Sequence, residues 1–222
     1  RPDSIVNNVS IYEYRKRLGA ELAKEKHIEA DLIIPVPDSG VPAAIGYSEA
    51  VNKNIELGII RNHYVGRTFI EPSQQVRSLG VKLKHNANKS LVKNKSLILI
   101  DDSLVRGTTS VKIVKMLYES GAKEVHLRIA SPPIKYPDYY GVDTPDENEL
   151  LASKLDIEGM RKFVNATSLQ FLSIEGLYKS MGYEKRNSSY PQFTDHCFTG
   201  EYPVKPIDSH DKDFINTRLS LM

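Results

Sequence analysis

Two adjacent carboxylates, Asp101 and Asp102, stand where the apolar run LILI (97–100) ends. SLVRGTTS (103–110) follows, and then a helical pattern begins. Gly107 can take a backbone conformation closed to other residues. Thr108, Thr109 and Ser110 place hydroxyls and free N–H groups at a helix start, where partial positive charge suits a phosphate monoester. The two acids would repel that phosphate, so their use must differ. They can grip ribose hydroxyls, or hold a Mg²⁺ already bridged to a diphosphate. The run therefore asks for a ligand with a phosphate, a sugar diol and a metal. DDS alone is explained about as well by local capping; the whole run DDSLVRGTTS is far more specific. A second cluster, PDSG (37–40), puts Asp38, Ser39 and Gly40 in a tight turn into a helix with Pro42 in its first turn. Its N–H groups could hold a diphosphate, although a plain structural turn explains PDSG better when it is taken alone.

The elements that must hold these clusters can be read from periodicity. SIYEYRKRLGAELAKE (10–25) predicts a helix, with Ser10 and Glu13 at capping-box spacing and Ile11, Tyr14, Leu18 and Leu22 on one face. DLIIPVP (31–37) predicts a buried strand that stops abruptly. PDSGVPAAIGYSEAV then gives a turn and a helix, and IELGIIR (55–61) a strand. Residues 62–95 show no strong helix or strand, and so long a polar, basic stretch predicts a functional loop. LILI is the next strand, TTSVKIVKMLYESG (108–121) a helix ending at Gly121, and VHLRIA (125–130) an alternating strand. The order predicts an α/β fold with a mostly parallel sheet flanked by helices. Both polar clusters fall just beyond the carboxyl ends of strands, the edge where open α/β sheets bind ligands. After residue 131 the chain predicts irregular structure with short helices around 146–153, 157–164 and 173–181, which divides it into a core (1–135) and a C-terminal extension (136–222) packed on that core.

Composition narrows the class. The 222 residues are 40% hydrophobic and 26% charged, ordinary for a soluble globular protein. A net charge of +2 does not advertise nucleic acid as a partner, and no apolar run reaches transmembrane length. Cys197 is the only cysteine, which excludes an intrachain disulfide and predicts a reducing, cytoplasmic setting. The first residue is Arg1 rather than Met, which suggests processing or a piece of a longer chain.

LILIDDSLVRGTTS resembles the phosphoribosyl pyrophosphate (PRPP) loop of the type I phosphoribosyltransferases, and the wider sequence resembles one family among them, the amidophosphoribosyltransferases. The family's runs recur in order: RPDS (1–4), IPVPDSG (34–40), GRTFIEPSQQVR (66–77), DDSLVRGTTS (101–110), SPPI (131–134), YGVDTP (140–145), FLSIEGL (171–177) and CFTGEYP (197–203). The resemblance implies replacement of the pyrophosphate of PRPP by an amino group, giving 5-phosphoribosylamine, the first step of purine synthesis. It implies that Ser103 and Val105 to Ser110, with Arg106 and Gly107 among them, form the phosphate loop, and that Asp101 and Asp102 hold the ribose hydroxyls and Mg²⁺. Asp38, Ser39 and Gly40 would lie at the pyrophosphate, with Ser39 near the metal. Arg67, Arg77, Lys82 and Lys84 would reach the diphosphate from a closing loop; a solvated basic loop is the alternative for any one of them. Purine nucleotides are implied as inhibitors, and a homo-oligomer is expected.

The sequence also departs from the family pattern. The family's glutaminase domain, which begins with a catalytic cysteine, has no counterpart here, so the chain as given is expected to use ammonia, with a glutaminase domain or subunit as a possible partner. Some members hold a [4Fe–4S] cluster; the corresponding stretches here, Tyr136 to Asp138 and Tyr190 to His196, contain no cysteine, and one thiolate cannot hold a cubane. No cluster is expected, and Cys197 reads as a buried thiol. Two other functions compete: a nucleobase phosphoribosyltransferase, and a PRPP-sensing regulator or inactive remnant that keeps the loop without catalysis.

Overall fold

The computed structural model describes residues 2–62, 85–142 and 146–204. The chain opens with a hairpin, β1 (Ile5–Val6) and β2 (Val9–Ser10), turned by Asn7 and Asn8, both at positive φ. Helix α1 (Ile11–Glu25) follows. The Ser10 hydroxyl accepts from the Glu13 N–H at 3.1 Å, as expected, but the Glu13 carboxylate pairs with Arg17 (3.3 Å) instead of completing a capping box. Next come β3 (Leu32–Pro35), α2 (Val41–Val51), β4 (Ile59–Arg61), β5 (His85–Ala87) and α3 (Lys89–Val92). Then follow β6 (Ser96–Asp101), α4 (Thr108–Glu119) and β7 (Glu124–Ile129). A 3₁₀ turn (Glu147–Glu149), α5 (Leu151–Lys154), α6 (Ile157–Val164), β8 (Ser168–Phe171), α7 (Ile174–Ser180) and α8 (His196–Thr199) complete the described chain.

Strands β3, β6, β7 and β8 form one parallel sheet in the order β3–β6–β7–β8, so the α/β expectation holds. Leu97, Ile98, Leu99 and Ile100 are all fully buried, so both faces of β6 are covered. Alternate side chains serve two layers. Leu97 and Leu99 pack with Ile113, Val114 and Leu117 of α4 and Met160 and Val164 of α6. Ile98 and Ile100 pack with Leu22 of α1, Ala43, Ala44 and Tyr47 of α2, and Leu177 of α7. Each such aliphatic side chain contributes about 1.5–3 kcal/mol on leaving water.

The sequence reading differs from this structure in several places. Residues 62–95 were expected to lack regular structure, yet β5 and α3 lie within them. Strand β4 does not join the parallel sheet; it pairs antiparallel with β5, Arg61 opposite His85. The fourth strand, β8, comes from the stretch assigned to the extension, where only short helices were expected. β7 alternates in sequence but not in burial: His126 and Arg128 are 5% and 2% exposed, and Arg128 lies against Tyr47 of α2. The Arg128 guanidinium donates to Leu127 O and Ser168 Oγ, both at 3.0 Å.

Helices α1 and α2 meet at backbone distance. A Cβ on Gly19 would lie 1.8 Å from Ala43 O, and one on Gly46 1.8 Å from Lys16 O. Because α2 begins where PDSG ends, this contact fixes that turn to the rest of the core. Among the described residues, no helix is long and apolar enough to cross a membrane.

Candidate active site

β6 delivers Asp101 at its last residue, and Gly107 (φ +74°) turns the chain into α4. The positive φ demands glycine, and a Cβ there would also meet Leu151 Cδ2 at 2.8 Å. The N–H groups of Thr108, Thr109 and Ser110 open the helix and have no intrahelical acceptor. Their residues line a cleft of about 660 Å³. The Arg106 guanidinium pairs with Glu149 (Nε to Oε2, 2.7 Å), and Leu151 N–H donates to Val105 O at 2.9 Å. The loop is thus tied to the segment that starts α5.

The PDSG turn packs against the end of β6. Val36 N–H donates to Ile100 O (2.8 Å) and Gly40 N–H to Val36 O (2.9 Å). A Cβ on Gly40 would lie 2.4 Å from Ile100 O, so only glycine lets the two loops approach this closely. The Pro37–Asp38 peptide is cis. The Ser39 hydroxyl donates to Asp101 Oδ1 at 3.4 Å, which joins the two clusters.

The two acids differ in setting. Asp101 is 6% exposed, and its Oδ1 also accepts the Asp102 N–H at 2.9 Å. Burial, and then the neighbouring Asp102 carboxylate, push the Asp101 carboxyl well above its ordinary range. Asp102 is more open, and its Oδ1 accepts from Ser103 Oγ at 3.3 Å.

The structure places Asp38, Ser39, Asp101, Asp102, Ser103, Val105, Arg106, Gly107, Thr108, Thr109 and Ser110 around this one cleft. Gly40 is not among its lining residues; its N–H is already committed, and its place in the fold is the close approach. Arg67, Arg77, Lys82 and Lys84 lie outside the described residues.

The cleft also has walls that the sequence reading missed. Arg61 ion-pairs with Asp38, and its Nε is buried without a partner among the described residues. His85 sits opposite Arg61 in the β4–β5 pair, with Nε2 3.4 Å from Pro37 O. Ile134 and Val142 line the cleft from beyond β7. The signal for Arg61 was its place at the end of an apolar strand, the same signal that marked Asp101.

No set of three or more His, Cys, Asp or Glu side chains gathers as a metal site among the described residues. Two carboxylates and the Ser39 hydroxyl instead match the way Mg²⁺ is held, by one or two protein oxygens with the rest from phosphates and water. Cys197 is half-buried, and burial, with the nearby Asp138 and Asp195 charges, pushes its thiol up to about 11. His196 Nε2 is 2.8 Å from Asp138 Oδ2.

No family model matches the chain. It is 55% identical to an amidophosphoribosyltransferase of Rhizobium etli over 223 residues, which cover 100% of this chain and 45% of that protein. It is 49% identical to amidophosphoribosyltransferase 2 of Arabidopsis thaliana chloroplasts, covering 98% of this chain and 38% of that protein. A solved glutamine PRPP amidotransferase from Bacillus subtilis, complexed with ADP and GMP, superposes with a TM-score of 0.82 at 48% identity, over 92% of this chain and 45% of that one. Across its whole length this chain is related to the amidophosphoribosyltransferases, and it spans less than half the length of the curated relatives it matches.

Proposed function

We propose that this chain transfers an amino group to PRPP, releasing pyrophosphate and forming 5-phosphoribosylamine. The observation that carries the proposal is the junction of two loops at the end of β6. The phosphate cradle at α4 and the PDSG turn are held together through Ser39 and Asp101, in a chain whose relatives are named for this reaction. The 5′-phosphate lies on the N–H groups of Thr108 to Ser110. Asp102, with Asp101 behind it, grips the ribose hydroxyls. Asp38, Ser39 and Arg61 face the diphosphate. Ser39, Asp101 and Asp102 would hold Mg²⁺, which would supply charge neutralisation for the departing group. Ammonia attacks C1 with its lone pair, the C1–O bond to pyrophosphate breaks, and the added nitrogen gives up a proton to solvent. Cations on the leaving group stabilise the charge that grows in the transition state. By resemblance, Arg67, Arg77, Lys82 and Lys84 add to them. Purine nucleotides as inhibitors, a glutaminase partner and a homo-oligomer belong to the same proposal. The nucleotides are supported by the ADP and GMP in the Bacillus structure's description.

The test is pyrophosphate release from Mg²⁺–PRPP by this chain, with ammonium and with glutamine offered separately. Release with ammonium alone is expected, and it should vanish when Asp101 and Asp102 are both changed to Asn. PRPP binding without release would overturn the transfer reading in favour of a PRPP sensor.

A further inference from the structure

Ile134 and Val142 bound a turn that forms one wall of the cleft, and Val142 is 63% exposed at its rim. Asp138 organises that turn. Its Oδ1 accepts the N–H groups of Tyr140 (2.7 Å) and Val142 (3.2 Å), folding the backbone around one carboxylate oxygen. Its Oδ2 accepts from His196 Nε2 at 2.8 Å, at the first residue of α8. The His196 ring is 3% exposed and lies 5.0 Å from both the Tyr140 and Tyr202 rings. Tyr202 Oη donates to Pro137 O (2.8 Å), while Lys135 and Tyr136 N–H groups donate to Cys197 O (2.9 and 3.1 Å). Gly200, at φ +78°, lets α8 end against the Tyr136 ring; a Cβ there would be 2.9 Å from Tyr136 Cζ. Burial works against the Asp138 charge, but the two N–H groups and His196 outweigh it and hold the carboxyl below its ordinary range.

Resting on the transfer reaction proposed above, we infer that Asp138 is a positioning residue of the cleft: one carboxylate oxygen folds the turn that sets Val142 at the rim, and the other locks that turn to His196. A fixed apolar rim beside the sugar keeps water from the reacting carbon, where it would compete with ammonia. The lock also explains how CFTGEYP, remote in sequence from both loops, bears on the site. Gly200 and Tyr202 close α8 over the turn, and His196 reaches through to Asp138.

The test compares Asp138→Ala, Asp138→Asn, His196→Phe and Val142→Ala in the full chain. Hydrogen exchange at the Tyr140 and Val142 amides should speed up about tenfold or more in Asp138→Ala, because bonds to a charged acceptor are lost. It should stay slow in Asp138→Asn, whose Oδ1 still accepts. Asp138→Ala and His196→Phe should bind Mg²⁺–PRPP more weakly. They should also raise the share of pyrophosphate released without ammonium, as should Val142→Ala, which removes rim surface at an exposed position without disturbing the turn. Unchanged affinity and an unchanged hydrolysis share in all of these would overturn the inference. So would exchange that quickens uniformly through the β-sheet in Asp138→Ala, which would make Asp138 a general stabiliser. Should the chain bind PRPP without turnover, the transfer reading fails on its own, while affinity and exchange still decide the role of Asp138.

Discussion

Asp101→Asn is expected to remove phosphoribosyl transfer while making the fold more stable. The two effects have one origin. Asp101 is 6% exposed, and burial beside Asp102 pushes its carboxyl well above the ordinary carboxylate range. The folded chain therefore keeps that proton to a higher pH than the unfolded chain does. With the folded value raised, the contribution to stability is complete below the ordinary range and declines as pH rises. Asparagine is neutral at every pH, and its carbonyl still accepts from Ser39 and from the Asp102 N–H. Urea unfolding should show the variant more stable near pH 8, by about 0.5–2 kcal/mol, the size of a single stabilising substitution. The gain should shrink toward pH 4. The proposed transfer uses the charge that folding resists: a carboxamide would not help hold Mg²⁺ and the sugar as a carboxylate would. Pyrophosphate release should fall about 100- to 1,000-fold, the cost of removing one preorganised charge-stabilising group. A variant that is less stable at pH 8, or that keeps wild-type turnover, would contradict this account.

Gly40→Ala should damage the site from behind. The added methyl would lie 2.4 Å from Ile100 O, 3.1 Å from Val36 O and 3.2 Å from Asp101 Cα. All three are backbone atoms, so no side chain can swing away. Either the end of β6 or the PDSG turn must move, and the Ser39–Asp101 contact is lost with it. Overpacking of this kind costs about 1–3 kcal/mol. Misplacement near 1 Å lowers catalysis about 100-fold, even where no reacting group has changed. KM for Mg²⁺–PRPP should rise and kcat fall together. Normal kinetics in a destabilised variant would show that the two loops need not touch.

The loop proposed as the phosphate cradle was legible because its signals are local. The apolar run LILI, two acids, a glycine and four hydroxyl residues lie in one continuous stretch, and from Asp101 to Ser110 that stretch lines one cleft. The β1–β2 hairpin was missed although Asn7–Asn8 is a two-residue turn pair able to take positive φ at both positions. β8 escaped for a different reason. SLQF is four residues long at the sheet edge, and its strand character comes from pairing with β7, which no local pattern encodes. The walls Arg61, His85, Ile134 and Val142 are brought to the cleft by antiparallel pairing and by a turn held from α8, so their roles depend on partners far along the chain. The Asp138–His196 contact is the extreme case: each residue ends a stretch already compared with the family's cluster cysteines, yet nothing local pairs one with the other.

The sheet order has a kinetic consequence. β6, α4 and β7 are consecutive in the chain, so the loop from Asp101 to Ser110 can assemble from neighbours with little loop entropy to overcome. β3 must instead find β6 across everything between residues 36 and 95 before the PDSG turn reaches its place. Contacts of low sequence separation form early in the folding transition state. Leu117→Ala in α4 should therefore slow refolding, with a φ-value above that of Ile33→Val in β3, which should act mainly on unfolding; the reverse order in stopped-flow measurements would refute it. The α4 side of the cleft is thus expected to nucleate first, and the PDSG side to arrive last from the unfolded chain.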